Sequence, residues 1–132
     1  METTGVIFLD SCFVIEVLRK NAEAHAKLSL LRKTSDVRIS TIALGELYYG
    51  AFRAKRVGEP NMLKLVLQFF KKEPFDEATA ELCGKLLADL EKQGKVIEFR
   101  DAAIAATALR YGGNILTYDK KHFERIPGIT II

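Results

Sequence analysis

The chain has 132 residues, with 48% hydrophobic and 28% charged side chains, which is ordinary for one globular domain, and we assign residues 1–132 to a single domain. No apolar stretch approaches the roughly 20 residues that span a membrane, and the first residues lack the positive side chain of a secretory signal, so we expect a cytoplasmic protein. The formal net charge of +3 only mildly favours an anionic partner, because 17 acidic residues nearly balance 20 basic ones.

Cysteine and histidine are sparse. Cys12 and Cys83 are too far apart for a Cys-x-x-Cys motif and fit no zinc spacing, so we interpret both as small buried apolar residues. His25 and His122 are isolated in the sequence and are predicted to lie on the surface. The sequence therefore does not predict zinc chemistry.

The first predicted element is an apolar run at residues 5–9, which ends at Asp10 and Ser11. Its length and its branched and aromatic residues are typical of a strand buried on both faces. Ser11 is a good N-cap for a short helix that ends near Arg19. Helical spacing of apolar residues predicts a second helix over residues 22–33.

The rest of the chain alternates between extended and helical patterns. The predicted elements are, in order, a strand at 37–40, a helix capped by Ser40 or Thr41 that runs to about Arg56, a loop at 57–60, a helix at 62–72, an extended piece at 74–75, a helix from Asp76 to 93–94, an all-apolar helix that begins at Asp101, a strand at 114–117, and a strand at 129–132. This alternation, without a hairpin signal, predicts a three-layer α/β/α sandwich around a parallel sheet of four to five strands.

Four carboxylates occupy positions that surface charges rarely take. Asp10 ends the first strand, Glu46 lies on an uncharged helix face, Asp101 opens the all-apolar helix and Asp119 follows the strand at 114–117. Strand ends and the following helix starts meet at one edge of a parallel sheet. Two carboxylates about 4 Å apart repel by up to ~4 kcal/mol at an effective dielectric constant near 20. A bound Mg²⁺ or Mn²⁺ ion, which prefers carboxylate oxygens, would remove that repulsion.

Each acid also has a purely structural interpretation. Asp10 and Asp101 can act as helix N-caps, Asp119 can cap the turn that follows it, and Glu46 can form a simple salt bridge. Other phosphate and hydrolase chemistries fit less well, because the sequence has no glycine-rich phosphate loop and no Gly-x-Ser-x-Gly motif. It also lacks a second aspartate two residues after Asp10, which an aspartyl-phosphate phosphatase with a paired acid would require.

The acidic segments at 7–11, 39–47, 100–109 and 116–123 resemble the PIN-domain ribonucleases, and most closely the small VapC-type toxins of prokaryotic toxin/antitoxin modules. The order Asp, Glu, Asp, Asp with this spacing carries the resemblance, which spans nearly the whole chain. It implies a metal-dependent endoribonuclease with a PIN-like fold. The family's acids correspond to Asp10, Glu46, Asp101 and Asp119, which would hold one or two Mg²⁺ or Mn²⁺ ions.

The same resemblance assigns supporting residues. Ser11 matches the small hydroxyl residue after the first aspartate, and Thr117 matches the hydroxyl residue before the fourth acid. Cys12 departs from the polar residue that the family usually has at that position.

Basic residues near the acids are candidates for holding the RNA backbone. They are Arg53, Lys55, Arg56, Arg100, Lys120, Lys121 and Arg125.

The family further implies a homodimer and a cognate antitoxin protein that fills a groove beside the active site. We expect exposed parts of the first two helices and of the helix at 62–72 to form that groove. Two other functions are open at this point. One is a catalytically inactive PIN-like module that binds RNA or protein, and the other is a receiver-like phospho-acceptor at Asp10.

Overall fold

A parallel sheet forms the centre of the protein in the computed structural model, which describes residues 5–54 and 59–132. Its strands are β1 (Val6–Leu9), β2 (Asp36–Ser40), β3 (Lys71–Glu73), β4 (Asn114–Leu116) and β5 (Thr130–Ile131). They lie in the order β3-β2-β1-β4-β5, and every neighbouring pair is parallel. Among the described residues the flanking helices are α1 (Ser11–Leu18), α2 (Ala22–Thr34), α3 (Thr41–Arg53), α4 (Glu59–Leu67), α5 (Glu77–Lys92) and α6 (Phe99–Leu109). The predicted α/β/α fold is confirmed.

Strand β1 is the central strand, as its apolar sequence predicts. Ile7, Phe8 and Leu9 are at most 1% exposed, because helices cover both faces of the sheet and strands pair with both edges of β1. Leu9 is in register with Leu116 of β4. Strands β1 and β4 therefore end at the same level, and the residues that follow them come together at the carboxyl edge of the sheet.

The region after α4 differs from the prediction. Residues 62–72 were expected to be helical, but α4 ends at Leu67 and Lys71–Glu73 forms the edge strand β3. Backbone pairing with β2 overrides helical spacing here, and Glu73, 4% exposed, accepts a hydrogen bond from Arg38 at 2.8 Å. The extended piece predicted at 74–75 thus lies just beyond the actual strand.

Helix boundaries account for the remaining differences. Helix α3 is capped by Ser40, as predicted, but ends at Arg53 rather than near residue 56. A loop was predicted at 57–60, but Glu59 and Pro60 are the first two residues of α4. Proline is tolerated there because the first turn of a helix does not need its backbone N–H. Residues 55–58 lie outside the described residues. None of the helices in the described parts of the chain is long and apolar enough to cross a membrane.

Two consecutive glycines carry the chain from α6 into β4. Gly113 has φ +82°, and a Cβ atom built on it would collide with the backbone oxygen of Gly128. The Gly113 carbonyl also accepts a hydrogen bond from the Thr130 amide at 2.9 Å, which fixes its position beside β5. This position therefore requires glycine.

We expect Gly113→Ala to lower the free energy of unfolding by about 1 to 3 kcal/mol, because alanine is strained at positive φ and meets backbone that cannot yield. The matched control is Gly84→Ala inside α5, where a Cβ meets nothing within 4 Å, and we expect a gain of about 0.5 to 1 kcal/mol. Urea unfolding followed by circular dichroism measures both. Equal stability of the two variants would contradict the described turn.

Candidate active site

Asp10 is the buried acid at the end of β1. It is 1% exposed, and its Oδ1 accepts a hydrogen bond from the Ser11 amide at 2.9 Å, so Asp10 is the N-cap of α1. The prediction that Ser11 caps this helix is wrong, because the backbone is still extended at Asp10 and becomes helical at Ser11. The structural interpretation of Asp10 as a cap is thus correct, but the cap uses only one of its two oxygens.

Thr117 links the first acid to the fourth. Its hydroxyl donates a hydrogen bond to Oδ2 of Asp10 at 2.8 Å and accepts one from the Asp119 amide at 2.9 Å. Thr117 is 3% exposed, so water does not compete for these bonds. These two hydrogen bonds fix Asp10 at the end of β1 against the segment that follows β4.

Asp101 enters the same space from α6. It was considered as an N-cap, but the helix begins at Phe99 with Glu98 as its cap residue, so that interpretation is wrong. Asp101 instead lies within the first turn and is 4% exposed. Burial raises the pKa of the Asp101 carboxyl above its ordinary value, although a hydrogen bond from Arg100 acts in the opposite direction.

A single guanidinium joins three of the four acids. Nη2 of Arg100 donates to Oδ1 of Asp10 at 2.7 Å and to Oγ of Ser11 at 3.0 Å. Its Nε donates to Oε2 of Glu46 at 2.6 Å, and its Nη1 donates to Oδ1 of Asp101 at 2.7 Å. The simple salt bridge considered for Glu46 is therefore present, but it is one arm of a three-way contact.

The acids stabilise the charged form of Arg100. Burial lowers the pKa of its guanidinium, but the hydrogen bond to Glu46, the charge of Asp10 and the hydrogen bonds to Asp101 and Asp10 outweigh burial and raise that pKa overall. The guanidinium is thus a permanent positive charge at the centre of the acidic cluster. Glu46 is the most accessible of the three acids that it contacts, with 38% of its side chain exposed.

His122 connects the fourth acid to the cluster. Its Nε2 lies 3.0 Å from Oδ2 of Asp119, and its Nδ1 lies 3.4 Å from Oδ1 of Asp101. Nδ1 is buried and has no hydrogen-bond partner. The His122 side chain is 41% exposed, so it does lie at the surface, but it is not isolated, because the short 3-10 turn at Lys120–His122 brings its ring against the acids. Asp119 precedes that turn but makes no side-chain capping bond.

The donor set has the chemistry of a site for a hard divalent cation. Three carboxylates converge on one cationic group, and oxygen ligands of this kind suit Mg²⁺ and Mn²⁺. In residues 5–54 and 59–132, however, no three His, Cys, Asp or Glu side chains form a group that could hold a metal ion. The residue types therefore fit a metal ion, whereas in this structure the three carboxylates form ion pairs with Arg100.

The sequence model of the PIN domain matches residues 7–129 of this chain. The chain belongs to the PIN domain family. It is 30% identical to Ribonuclease VapC2 of Rickettsia felis over 96% of each chain. It is 33% identical to the tRNA(fMet)-specific endonuclease VapC of Salmonella typhimurium over 85% of this chain and 86% of that protein. The predicted resemblance to PIN domains and VapC-type ribonucleases is confirmed.

A solved structure gives the same result for the fold. The crystal structure of VapBC2 from Rickettsia felis, bound to a DNA fragment from their promoter, contains a chain that matches this PIN domain with a TM-score of 0.86. The match covers 96% of this chain and 97% of that chain at 25% sequence identity. The fold of this chain is therefore also that of a chain in the VapBC2 crystal structure.

Cys12 also belongs to this PIN-domain site. It is half-buried rather than fully buried, and its Sγ lies 3.4 Å from Oδ2 of Asp10 and 3.2 Å from Oγ1 of Thr117. Burial raises the pKa of the Cys12 thiol, and the charge of Asp10 raises it further, so the group stays protonated at neutral pH. The prediction of a buried apolar cysteine is wrong for Cys12, whereas Cys83, 1% exposed, confirms it.

The basic residues proposed for RNA binding are in two different situations. Arg100 is directed at the acids of the PIN domain, whereas Arg53, Lys120, Lys121 and Arg125 are exposed. The guanidinium of Arg53 lies 5.7 Å from the ring centre of Tyr49, which is 65% exposed. The other two candidates, Lys55 and Arg56, lie outside the described residues.

A groove opens beside the acidic cluster of the PIN domain. It is a cavity of about 400 Å³ between α1, α3 and α4, and Glu46 forms part of its wall. The described residues that line it are Ile15, Leu18, Arg19, Glu46, Leu47, Gly50, Ala51, Ala54, Glu59 and Leu63. Helices α1 and α4, two of the elements expected to form the antitoxin groove, thus line this cavity together with α3, and none of its lining residues in the described parts of the chain comes from α2.

Sequence reasoning missed Arg100 and His122 as partners of the acids. A positive charge in the first turn of a helix is unfavourable, because the helix N-terminus already carries partial positive charge. Arg100 directly precedes the predicted start of this helix, where a cation is equally unfavourable, and this was a signal that acidic groups lie beside it. The i,i+3 spacing of Asp119 and His122 carried a weaker signal of the same kind.

We expect Thr117→Val, which keeps the shape and removes the hydroxyl, to lower the free energy of unfolding by about 1 to 3 kcal/mol, because it leaves Asp10 short of a buried donor. Thr117→Ser keeps the hydroxyl and is the matched control. Denaturant unfolding of both variants measures the difference. A Thr117→Val variant as stable as Thr117→Ser would contradict the role of this hydrogen bond.

Proposed function

We propose that this protein is a Mg²⁺- or Mn²⁺-dependent endoribonuclease and the toxin of a toxin/antitoxin pair. The observation that carries the proposal is the convergence of Asp10, Glu46 and Asp101 on one cationic centre at the carboxyl edge of a PIN-domain sheet. Relatives that match most of this chain are named as ribonucleases, which supports RNA as the substrate class. A cytoplasmic site of action is part of the proposal.

Asp10, Glu46 and Asp101 would hold the ion, with Asp119 as a fourth ligand or as the holder of a second ion. When bound by these acids, a divalent ion would lower the pKa of a bound water and would neutralise charge on the scissile phosphate. The protein holds the acids in place for this purpose. Thr117 orients Asp10, and burial limits the movement of Asp10 and Asp101.

The hydroxyl and thiol groups at the site are poorly suited to act as nucleophiles. Oγ of Ser11 accepts a hydrogen bond from Arg100 at 3.0 Å and lies 3.4 Å from Oε1 of Glu46, so it is engaged in support of the acids. Cys12 stays protonated because its pKa is raised. This supports hydrolysis by water without a covalent intermediate on the protein.

Exposed cations beside the acids would bind the RNA backbone. Lys120 and Lys121 directly follow Asp119, so phosphates held by them would lie next to the acidic cluster. Arg53 and Tyr49 combine a positive charge with an exposed aromatic ring, which is a suitable surface for a stacked base. The RNA would therefore contact two elements of the chain, α3 and the turn after β4.

The groove beside Glu46 is the proposed binding site for the antitoxin. VapBC toxin–antitoxin complexes are among the solved structures that resemble this chain, which supports an antitoxin as partner. The groove is lined mainly by apolar residues and is bounded by Arg19 and Glu59, so an amphipathic segment of a partner fits it. We also propose that the protein is a homodimer, which sedimentation of the purified chain tests.

We expect Asp101→Asn to reduce RNA cleavage in Mn²⁺ by about 100-fold or more, because it removes a buried charged ligand and several kcal/mol of metal-derived stabilisation. The control is Asp89→Asn, which removes an acid on the exposed face of α5 and should cleave as the wild type does. Cleavage of labelled RNA, with and without a chelator, measures both.

Two outcomes would contradict this proposal. If Asp101→Asn cleaved RNA as fast as the wild type, the acids would not be required for cleavage. Intact RNA after incubation with folded wild-type protein and Mn²⁺, together with no Mn²⁺ binding, would instead favour the catalytically inactive PIN-like module.

We expect Ile15→Asp to weaken binding of the antitoxin encoded in the neighbouring reading frame by about tenfold or more, because it places an unpaired charge in the groove. Leu30→Asp, at an exposed position on α2 outside the groove, is the matched control. Binding is measured by calorimetry with purified antitoxin. An antitoxin that binds Ile15→Asp as tightly as Leu30→Asp would show that it uses another surface.

A further inference from the structure

Arg100 makes an unusual set of contacts. A guanidinium commonly offers two parallel donors to one carboxylate, but here each of its nitrogens is directed at a different acid. The three contacts are 2.6 to 2.7 Å long, and 22% of the Arg100 side chain remains exposed. The guanidinium therefore stands at the common centre of the acids, and part of the Arg100 side chain reaches solvent.

The same carboxylates would be needed by a metal ion. Their oxygens directed at the centre of the site now accept hydrogen bonds from Arg100, and no group of three ligands suited to a metal is formed among the described residues. A divalent ion among these acids would also lie within a few ångströms of the guanidinium charge. At such distances like charges repel strongly in a partly buried site. The metal ion and Arg100 therefore compete for the same acids.

Without Arg100, the buried acids of the metal-free protein would lack a counterion. Asp10 and Asp101 are at most 4% exposed, and buried carboxylates without a counterion destabilise a fold. His122 lies 3.4 Å from Asp101, and among the described residues it forms no ion pair with Asp10. Arg100 is thus the counterion that stabilises the buried acids in the metal-free protein.

We propose that Arg100 is an internal counterion that a divalent metal ion must displace, so that this residue sets the metal affinity of the site. The proposal rests on the metal-dependent function proposed above. In the metal-free protein Arg100 holds the acids together and preserves their arrangement. When a metal ion binds, the guanidinium is displaced from the acids, and the work of breaking its three contacts weakens the apparent affinity for the ion.

Calorimetric titration with Mn²⁺ tests this proposal. We expect folded Arg100→Gln to bind Mn²⁺ about tenfold more tightly than the wild type, within the range typical of coupling between two binding events. Arg100→Lys keeps one charge but not the three-way fork, and should fall between the two. Arg110→Gln is the matched control, because Arg110 also pairs with a carboxylate, Asp76, but away from the acids, and its Mn²⁺ affinity should equal that of the wild type.

Thermal unfolding provides a second readout that does not depend on activity. Without metal, Arg100→Gln should unfold at a lower temperature than the wild type, because its acids are unpaired. Added Mn²⁺ should then raise the Tm of Arg100→Gln by more than it raises that of the wild type. If Arg100→Gln does not fold without metal, Arg100→Lys serves for both measurements, with the same direction of change.

The outcomes separate this inference from the function on which it rests. Wild-type protein that binds Mn²⁺ and cleaves RNA, with unchanged or weaker Mn²⁺ binding by Arg100→Gln or Arg100→Lys, would overturn the counterion role and leave the nuclease intact. Folded wild-type and Arg100→Gln proteins that both fail to bind Mn²⁺ would overturn the metal-dependent function and this inference together. A larger Tm increase in the wild type than in the variant would also contradict the displacement.

Discussion

Two carboxylates buried at one edge of a sheet require a positive charge, and in this protein Arg100 supplies it. Asp10 and Asp101 are almost completely excluded from water, and an unpaired buried ion costs several kcal/mol. The position of Arg100 in the first turn of α6 is itself unfavourable, since the helix N-terminus repels a cation. Its contacts with the two acids and with Glu46 offset both costs at once, so the charges at this edge stabilise one another.

The topology of the sheet creates that edge, and much of it was predictable from the sequence. An apolar run that ends at Asp10, and the alternation of strands and helices, were sufficient to predict a parallel sheet with β1 buried at its centre. Because neighbouring parallel strands end together, the acids after β1 and β4 were expected to meet. The structure brings them together through Thr117, which bonds to both Asp10 and the backbone of Asp119.

Other features could not be read from local pattern. Lys71–Glu73 has no apolar alternation. It forms a strand because its backbone pairs with β2 and because Arg38 is the counterion of Glu73. The start of α6 was placed two residues late, since Asp101 resembles a cap until its burial is known. Arg100 was a candidate for binding RNA, and nothing in the local sequence indicated that its side chain is directed at three acids. These three cases depend on contacts between residues far apart in the chain, which periodicity and capping rules do not encode.

A crystal structure of the protein grown with Mn²⁺ tests the replacement of Arg100 by a metal ion most directly. We expect an anomalous scattering peak between the carboxylates of Asp10 and Asp101, with the Arg100 guanidinium no longer hydrogen-bonded to either of them. The described hydrogen bond from Thr117 to Asp10 should persist. A Mn²⁺ ion bound among these acids while Arg100 keeps all three of its contacts would contradict the account, and so would a fully occupied Mn²⁺ site elsewhere with none at the acids.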